Sequence, residues 1–173
     1  MGVEYTSIPG VLLVRPERHV DARGWFQENV RLAQLSKYAE QDIVLVQTNT
    51  SYSQHGVLRG LHAQRRQGKL ISVVQGCVFD VALDIRPQSP AFGHYFSIRL
   101  KAEDGLLLWL PPGIAHGFLT LTSSALMHYS VTTEYQPDDE IAVAWNDPSL
   151  NIAWPLHELH QAALISQKDQ NGS

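Results

Sequence analysis

Cysteine is almost missing from this chain: Cys77 is the only one in 173 residues. No intramolecular disulfide is therefore open to it, and its place in an apolar alternating stretch suits a small buried hydrophobe. Long apolar runs are missing too; none approaches the roughly 18 residues that a membrane helix needs. The start, Met1-Gly2-Val3-Glu4-Tyr5, has no basic stretch leading into an apolar one. No signal peptide is expected, and the cytoplasm is the expected location. Charge is sparse: Lys, Arg, Asp and Glu make up 17%, against a usual share of about a quarter. So little charge suits a chain that buries much surface, including a subunit interface. The net charge of -4 leaves no global basic field for nucleic acid. Repeats, low-complexity tracts and interdomain linkers are absent, so one domain over residues 1–173 is expected.

What is present is period two. Strands are expected at 11–14, 43–48, 69–75, 78–85, 92–100, 106–110, 118–121, 125–135 and 141–145. Turn chemistry separates them at Gln75-Gly76, Arg86-Pro87-Gln88-Ser89-Pro90, Pro111-Pro112-Gly113, Gln136-Pro137-Asp138-Asp139 and Asn146-Asp147-Pro148. Many short strands at this spacing argue for an all-β sandwich or barrel. One helix is expected over 30–40, capped by Asn29, and a short helical turn after Pro155. Gln170-Asn171-Gly172-Ser173 look disordered by composition.

Basic residues cluster at Arg59, Arg65, Arg66 and Lys69. That pattern fits a solvated loop and an anion site equally well. Of the eight histidines, His19, His94, His157 and His160 lie in polar or terminal surroundings, His55 in a loop, and His128 in a strand as a hydrogen-bonded partner. Two have more telling contexts. They are Gly56-Val57-Leu58-Arg59-Gly60-Leu61-His62-Ala63-Gln64 and Pro111-Pro112-Gly113-Ile114-Ala115-His116-Gly117-Phe118.

The pattern Pro-x-Gly-x-x-His ending at His116 resembles the second signature of the cupin superfamily, and the segment around His62 falls where the first would be. Metal-binding cupins carry a second histidine two residues after the first, then a glutamate. Here the second position is Gln64, and no acidic residue lies between His62 and Cys77. Two imidazoles are too few for a stable transition-metal site. The expectation is a cupin-like jelly-roll β-barrel with a few short peripheral helices and no metal. General base catalysis is then the natural task for His62.

Further motifs stand in order along the chain. They include Asp21-Ala22-Arg23-Gly24-Trp25-Phe26-Gln27-Glu28, Gln47-Thr48-Asn49, Asp80-Val81-Ala82-Leu83-Asp84-Ile85-Arg86, Ser89-Pro90-Ala91-Phe92-Gly93, Trp145-Asn146-Asp147-Pro148 and Ser166-Gln167-Lys168-Asp169. With the two histidine segments they make the chain resemble the dTDP-4-dehydrorhamnose 3,5-epimerases, nearly end to end. The resemblance implies that His62 is the base and Asp169 its carboxylate partner. It puts Lys69 near the substrate carbonyl, Tyr129 as the acid and Tyr135 against the thymine ring. Arg23, Glu28, Gln47, Asn49, Arg59, His116, Glu140 and Lys168 would contact nucleotide, diphosphate or sugar.

The implied reaction inverts C3 and C5 of dTDP-4-dehydro-6-deoxy-D-glucose. The C4 ketone acidifies both neighbouring carbons, so no cofactor is implied. A close variant inverts C3 or C5 alone with the same residues. Two other classes are a metal-dependent cupin, such as a dioxygenase, and a cupin that only binds sugar nucleotide; the missing ligands weigh against the first. The resemblance also implies a homodimer with exchanged strands; from the charge and the lack of a long apolar run, neither a nucleic-acid partner nor a membrane one is expected.

Overall fold

A computed structural model describes residues 1–171. In chain order the strands begin with β1 (Gly2–Tyr5), β2 (Leu12–Arg15), β3 (Glu17–Asp21), β4 (Gly24–Glu28), β5 (Gln47–Gln54), β6 (Val57–Gln64) and β7 (Lys69–Gln75). They continue with β8 (Cys77–Asp84), β9 (Tyr95–Lys101), β10 (Leu107–Leu110), β11 (Ile114–Thr120), β12 (Ser124–Val131), β13 (Glu140–Ala142) and β14 (Leu164–Ile165). The helices are α1 (Leu32–Ala39) and α2 (Gln167–Asn171). One sheet runs β1-β2-β10-β7-β12-β5; a second runs β13-β6-β11-β8-β9, with β14 added parallel to β6. The expected all-β jelly roll with short peripheral helices is the observed fold. No helix among the described residues is long and apolar enough to cross a membrane.

Three apolar clusters follow from side-chain alternation. Inward side chains of both sheets, among them Leu13, Ile71, Leu108, Phe118 and Met127, fill the space between the sheets. The outward side of β6, β8 and β11, with Leu58, Leu61, Val81 and Ala115, is covered by the chain after β13, including Trp145, Ile152 and Trp154. The outward side of β2, β7 and β10 is covered by α1 through Leu32, Leu35 and Tyr38. Strands buried on both faces read as nearly continuous apolar runs, and all seven residues of β11 are buried.

Several local expectations are corrected. The strand expected at 43–48 lies later, as β5. Its inward residues Gln47, Asn49, Ser51 and Ser53 are polar, so the apolar signal sat on Ile43 and Leu45, which pack with α1 instead. The strand expected at 125–135 stops at Val131, the one at 118–121 begins at Ile114, and the one at 141–145 spans only Glu140–Ala142. The hairpin β3–β4 had no periodic signal, because it pairs only with itself. Helix α1 starts after Arg31 with no side-chain cap; Asn29 Oδ1 instead accepts from Gln27 Nε2 at 2.9 Å. Gln170 and Asn171 belong to α2, while Gly172 and Ser173 lie outside the described residues. The helical turn after Pro155 is present at Leu156–Glu158.

Phe118 is 1% exposed at the centre of the inter-sheet core. Phe118→Ala is expected to lower stability by about 3–5 kcal/mol, read as a lower denaturant midpoint with an unchanged slope.

Candidate active site

The site starts from a break in the alternation of β6. Leu58 and Leu61 both join the outward cluster although they are three residues apart. The pairing of β6 with β11 shifts register between His116 and Phe118, which is a β-bulge. It lets Arg59 and His62 both turn inward. The close backbone approach needs two glycines: a Cβ on Gly60 (φ +110°) would stand 2.6 Å from Gly117 Cα, and one on Gly117 would stand 2.7 Å from Arg59 O.

His62 is one quarter exposed and lies between two carboxylates. Its Nε2 is 2.5 Å from Asp169 Oδ1. Its Nδ1 is 2.8 Å from Glu140 Oε1, but the approach is off line for a hydrogen bond and Nδ1 is sealed from solvent; the contact is electrostatic. Asp169 arrives there because Ser166 caps α2: Ser166 Oγ accepts the Asp169 N–H at 3.1 Å. Its second oxygen accepts the Gly60 N–H at 3.3 Å. A short tail helix is thus tied to the bulge itself.

Glu140 is held by its own partners. Lys168 Nζ is 2.8 Å from Oε1 and the Tyr135 hydroxyl donates to Oε2 at 2.7 Å. Burial alone would push the Glu140 carboxyl up; the Lys168 and Tyr135 hydrogen bonds and the Lys168 charge outweigh it and hold the pKa at about 2. Lys69 Nζ donates to the His62 carbonyl at 3.1 Å. Burial brings its pKa down to about 8, against the opposing pull of Glu140. Tyr129 is largely buried, and burial pushes its hydroxyl up to about 12 although a contact with Ser51 Oγ at 3.2 Å pulls the other way. Arg59 Nε donates to Ser53 Oγ at 3.0 Å.

His116 pairs in register with His62 and packs edge-on against Tyr129, ring centroids 6.1 Å apart. Its Nε2 is 2.8 Å from Oδ2 of Asp80, a fully buried carboxylate. Among the described residues, no group of three or more His, Cys, Asp or Glu side chains is arranged to hold a metal ion; each histidine is engaged by its own aspartate.

A cavity of about 510 Å³ opens here, lined by Arg59, His62, Glu140, Ser166, Lys168 and Asp169 among others. Lys69 and Tyr129 face the barrel interior from β7 and β12. Gln47 and Asn49, joined at 2.8 Å, lie on the adjoining wall of β5, where the Tyr135 N–H donates to Gln47 Oε1 at 3.2 Å. Arg23 and Glu28 are not brought in: they sit on the β3–β4 hairpin, paired with Asp21 and Arg31. The basic cluster splits, with Arg59 and Lys69 facing the site and Arg65 and Arg66 exposed on the turn after β6. Asp80, Ser51 and Ser53 were not expected. Their only signal was a polar residue at an inward position of a strand.

Residues 5–173 match the family model described as dTDP-4-dehydrorhamnose 3,5-epimerase. The chain belongs to this family. The epimerases of Salmonella typhimurium and Pseudomonas aeruginosa are 42% and 43% identical to it, over 95% and 96% of this chain and 90% and 91% of theirs. Among solved structures, the dTDP-6-deoxy-D-glucose-3,5-epimerase of Legionella pneumophila in complex with dTDP-4-keto-L-rhamnose is similar at a TM-score of 0.92. It is 39% identical, covering 99% of this chain and 90% of that one. A 3'-monoepimerase of Streptomyces bikiniensis is similar at a TM-score of 0.89 with 33% identity, over 96% and 84% of the two chains. The protein is an isomerase-class enzyme of this epimerase family.

The Lys69 pKa of about 8 lies below its ordinary 10.5. Between those values the folded chain binds fewer protons than the unfolded one, so stability rises with pH through that window. Lys69→Met removes the buried charge. Thermal unfolding is expected to show a higher midpoint than the parent at pH 7, with the rise between pH 8 and 10.5 gone.

Proposed function

We propose that the protein inverts C3 and C5 of dTDP-4-dehydro-6-deoxy-D-glucose, giving dTDP-4-dehydro-L-rhamnose, as a cytoplasmic homodimer. The observation that carries the chemistry is the His62–Asp169 couple beside Lys69 and across the barrel from Tyr129. Asp169 engages Nε2, which leaves Nδ1 as the nitrogen that takes the proton. Glu140, tethered by Lys168 and Tyr135, has to give way to the bound sugar. His62 removes the proton from C3 and the electron pair moves into the C4 carbonyl, forming an enolate. The Lys69 ammonium, aimed at that oxygen, stabilises the enolate more than the ketone. Asp169 holds the ring orientation and stabilises the imidazolium, as the carboxylate does in hydrolase triads.

Tyr129 returns a proton from the opposite face. A hydroxyl whose pKa is about 12 stays protonated at neutral pH, which an acid must do before it donates. With Glu140 displaced, Nδ1 opens to the cavity and passes its proton on to solvent, Tyr129 regains one, and the cycle repeats at C5. No oxidation state changes. Arg59 and Lys168 suit the diphosphate, because a guanidinium forks onto phosphate oxygens; the polar wall of Gln47 and Asn49 and the exposed ring of Tyr135 suit the base. A second reading, inversion at one carbon only, uses the same residues; its support is the likeness to the Streptomyces bikiniensis 3'-monoepimerase.

Arg23 and Glu28 would enter the site of a second copy. What supports this is the hairpin β3–β4, on which Val20, Trp25 and Phe26 are 76%, 61% and 70% exposed. Tyr52 and Val74 are exposed as well, on the open outward face of the first sheet. Exposed apolar residues gathered this way mark an association surface.

Incubating the keto sugar in deuterated water is expected to label both C3 and C5. His62→Ala is expected to slow both exchanges by about 10²–10⁴-fold, and Tyr129→Phe to retain exchange better than net inversion. Label at one carbon with the parent enzyme would establish the single-site reading instead. For the assembly, sedimentation is expected to give twice the 19.3 kDa chain mass. Replacing Trp25 and Phe26 by Glu should yield a folded monomer with little activity.

A further inference from the structure

The segment from Thr132 to Glu140 ends at the cavity wall, which Glu140 lines, and carries Tyr135. It adds little to any core: Glu134, Tyr135, Gln136, Pro137 and Asp138 are all exposed. Two buried side chains nevertheless reach out to its backbone. Gln64, 3% exposed, donates from Nε2 to Gln136 O at 2.8 Å and accepts the Gln136 N–H at 3.4 Å. Gln67, 7% exposed, donates from Nε2 to Thr133 O at 2.8 Å. Burying two amides gains nothing from apolar packing here and is tolerated only because each is hydrogen-bonded. What the bonds hold is the stretch between them, whose one aromatic ring is Tyr135.

We propose that Gln64 and Gln67 are positioning residues, a pair of amide clamps that set the Thr132–Glu140 strap so that Tyr135 receives the base of the nucleotide. The inference rests on the sugar-nucleotide reading given above. It gives Gln64 a task at a position where metal cupins place a second histidine. The strap is also joined to the barrel by the Gly68 N–H, which donates to Thr132 Oγ1 at 2.8 Å, and at Asp139, whose oxygens accept from the Arg65 and Arg66 N–H groups. The Tyr135 N–H, which donates to Gln47 Oε1 at 3.2 Å, is one further tie in its middle, so loss of one clamp loosens that stretch without freeing its ends.

The variants Gln64→Glu and Gln67→Glu keep side-chain size and replace the donor by a carboxylate oxygen facing a carbonyl; Gln64→Met removes both bonds. Hydrogen exchange of the strap amides is measured first, without any nucleotide. Affinities for dTDP and for pyrophosphate are then measured by calorimetry. Each variant is expected to lose protection at Tyr135 and Gln136 while the barrel strands stay protected. Binding of dTDP should weaken by about tenfold, the equivalent of one or two backbone hydrogen bonds, while pyrophosphate binding holds. Turnover should show a raised KM with a smaller change in kcat. Parent-like protection of the strap would overturn the clamp. A loosened strap with unchanged dTDP affinity would overturn its positioning role. Equal losses for dTDP and pyrophosphate would reduce it to general stability. A parent enzyme that binds pyrophosphate but no dTDP would overturn the sugar-nucleotide reading itself, while the exchange data still judge the clamp.

Discussion

The backbones of β6 and β11 meet at Gly60 and Gly117, at a distance no side chain would permit. That approach makes the bulge, and the bulge changes which residues of β6 face inward. Without it, residues 59 and 62 would fall on opposite faces, because an odd separation in a regular strand does so. With it, Leu58 and Leu61 remain in the outward core while Arg59 and His62 share the cavity. The same place supplies the Gly60 N–H that receives Asp169. Strand pairing, site geometry and the docking of the tail therefore rest on one pair of glycines.

Around that point the fold concentrates ionisable groups that a barrel interior ordinarily excludes. Asp169, Glu140, Lys69 and the His116–Asp80 pair lie at the edge of an apolar core. Burial costs each of them solvation, and each is compensated by a partner rather than by water. The compensation is uneven. Glu140 is pulled far down by Lys168 and Tyr135, whereas Lys69 remains poorly satisfied and falls to about 8. An ammonium that has lost its water without gaining a close carboxylate is poised to meet new negative charge. Stability is given up at Lys69, and under the proposed function that ammonium would meet an enolate oxygen without reorganisation.

The legibility of these parts varied with the kind of signal. The apolar strands β7, β8, β10 and β12 were visible because both faces, or one face strictly, are buried. β5 was misplaced because its inward face is a row of Gln, Asn and Ser, and polar alternation carries no hydrophobic period. The β3–β4 hairpin was invisible as structure because it packs on little of its own chain, although its motif was visible as sequence. Gln170 and Asn171 read as disorder by composition, yet they end a short helix that Ser166, three residues before Asp169, caps, and that helix lifts the carboxylate to His62.

By itself the sequence determined the all-β class, the lack of a metal-ligand set around His62 and His116, and the family. These follow from local facts: side-chain period, turn residues and the identity of residues at fixed spacing. Only the tertiary structure decided that Asp169 reaches His62 from 107 residues away and that Glu140 stands at the other ring nitrogen. It alone made Asp80 the partner of His116 and turned Gln64 and Gln67 into clamps on the strap. Those contacts join strands from different sheets and loops, and no local pattern encodes a distance between two residues that the chain must fold to bring together.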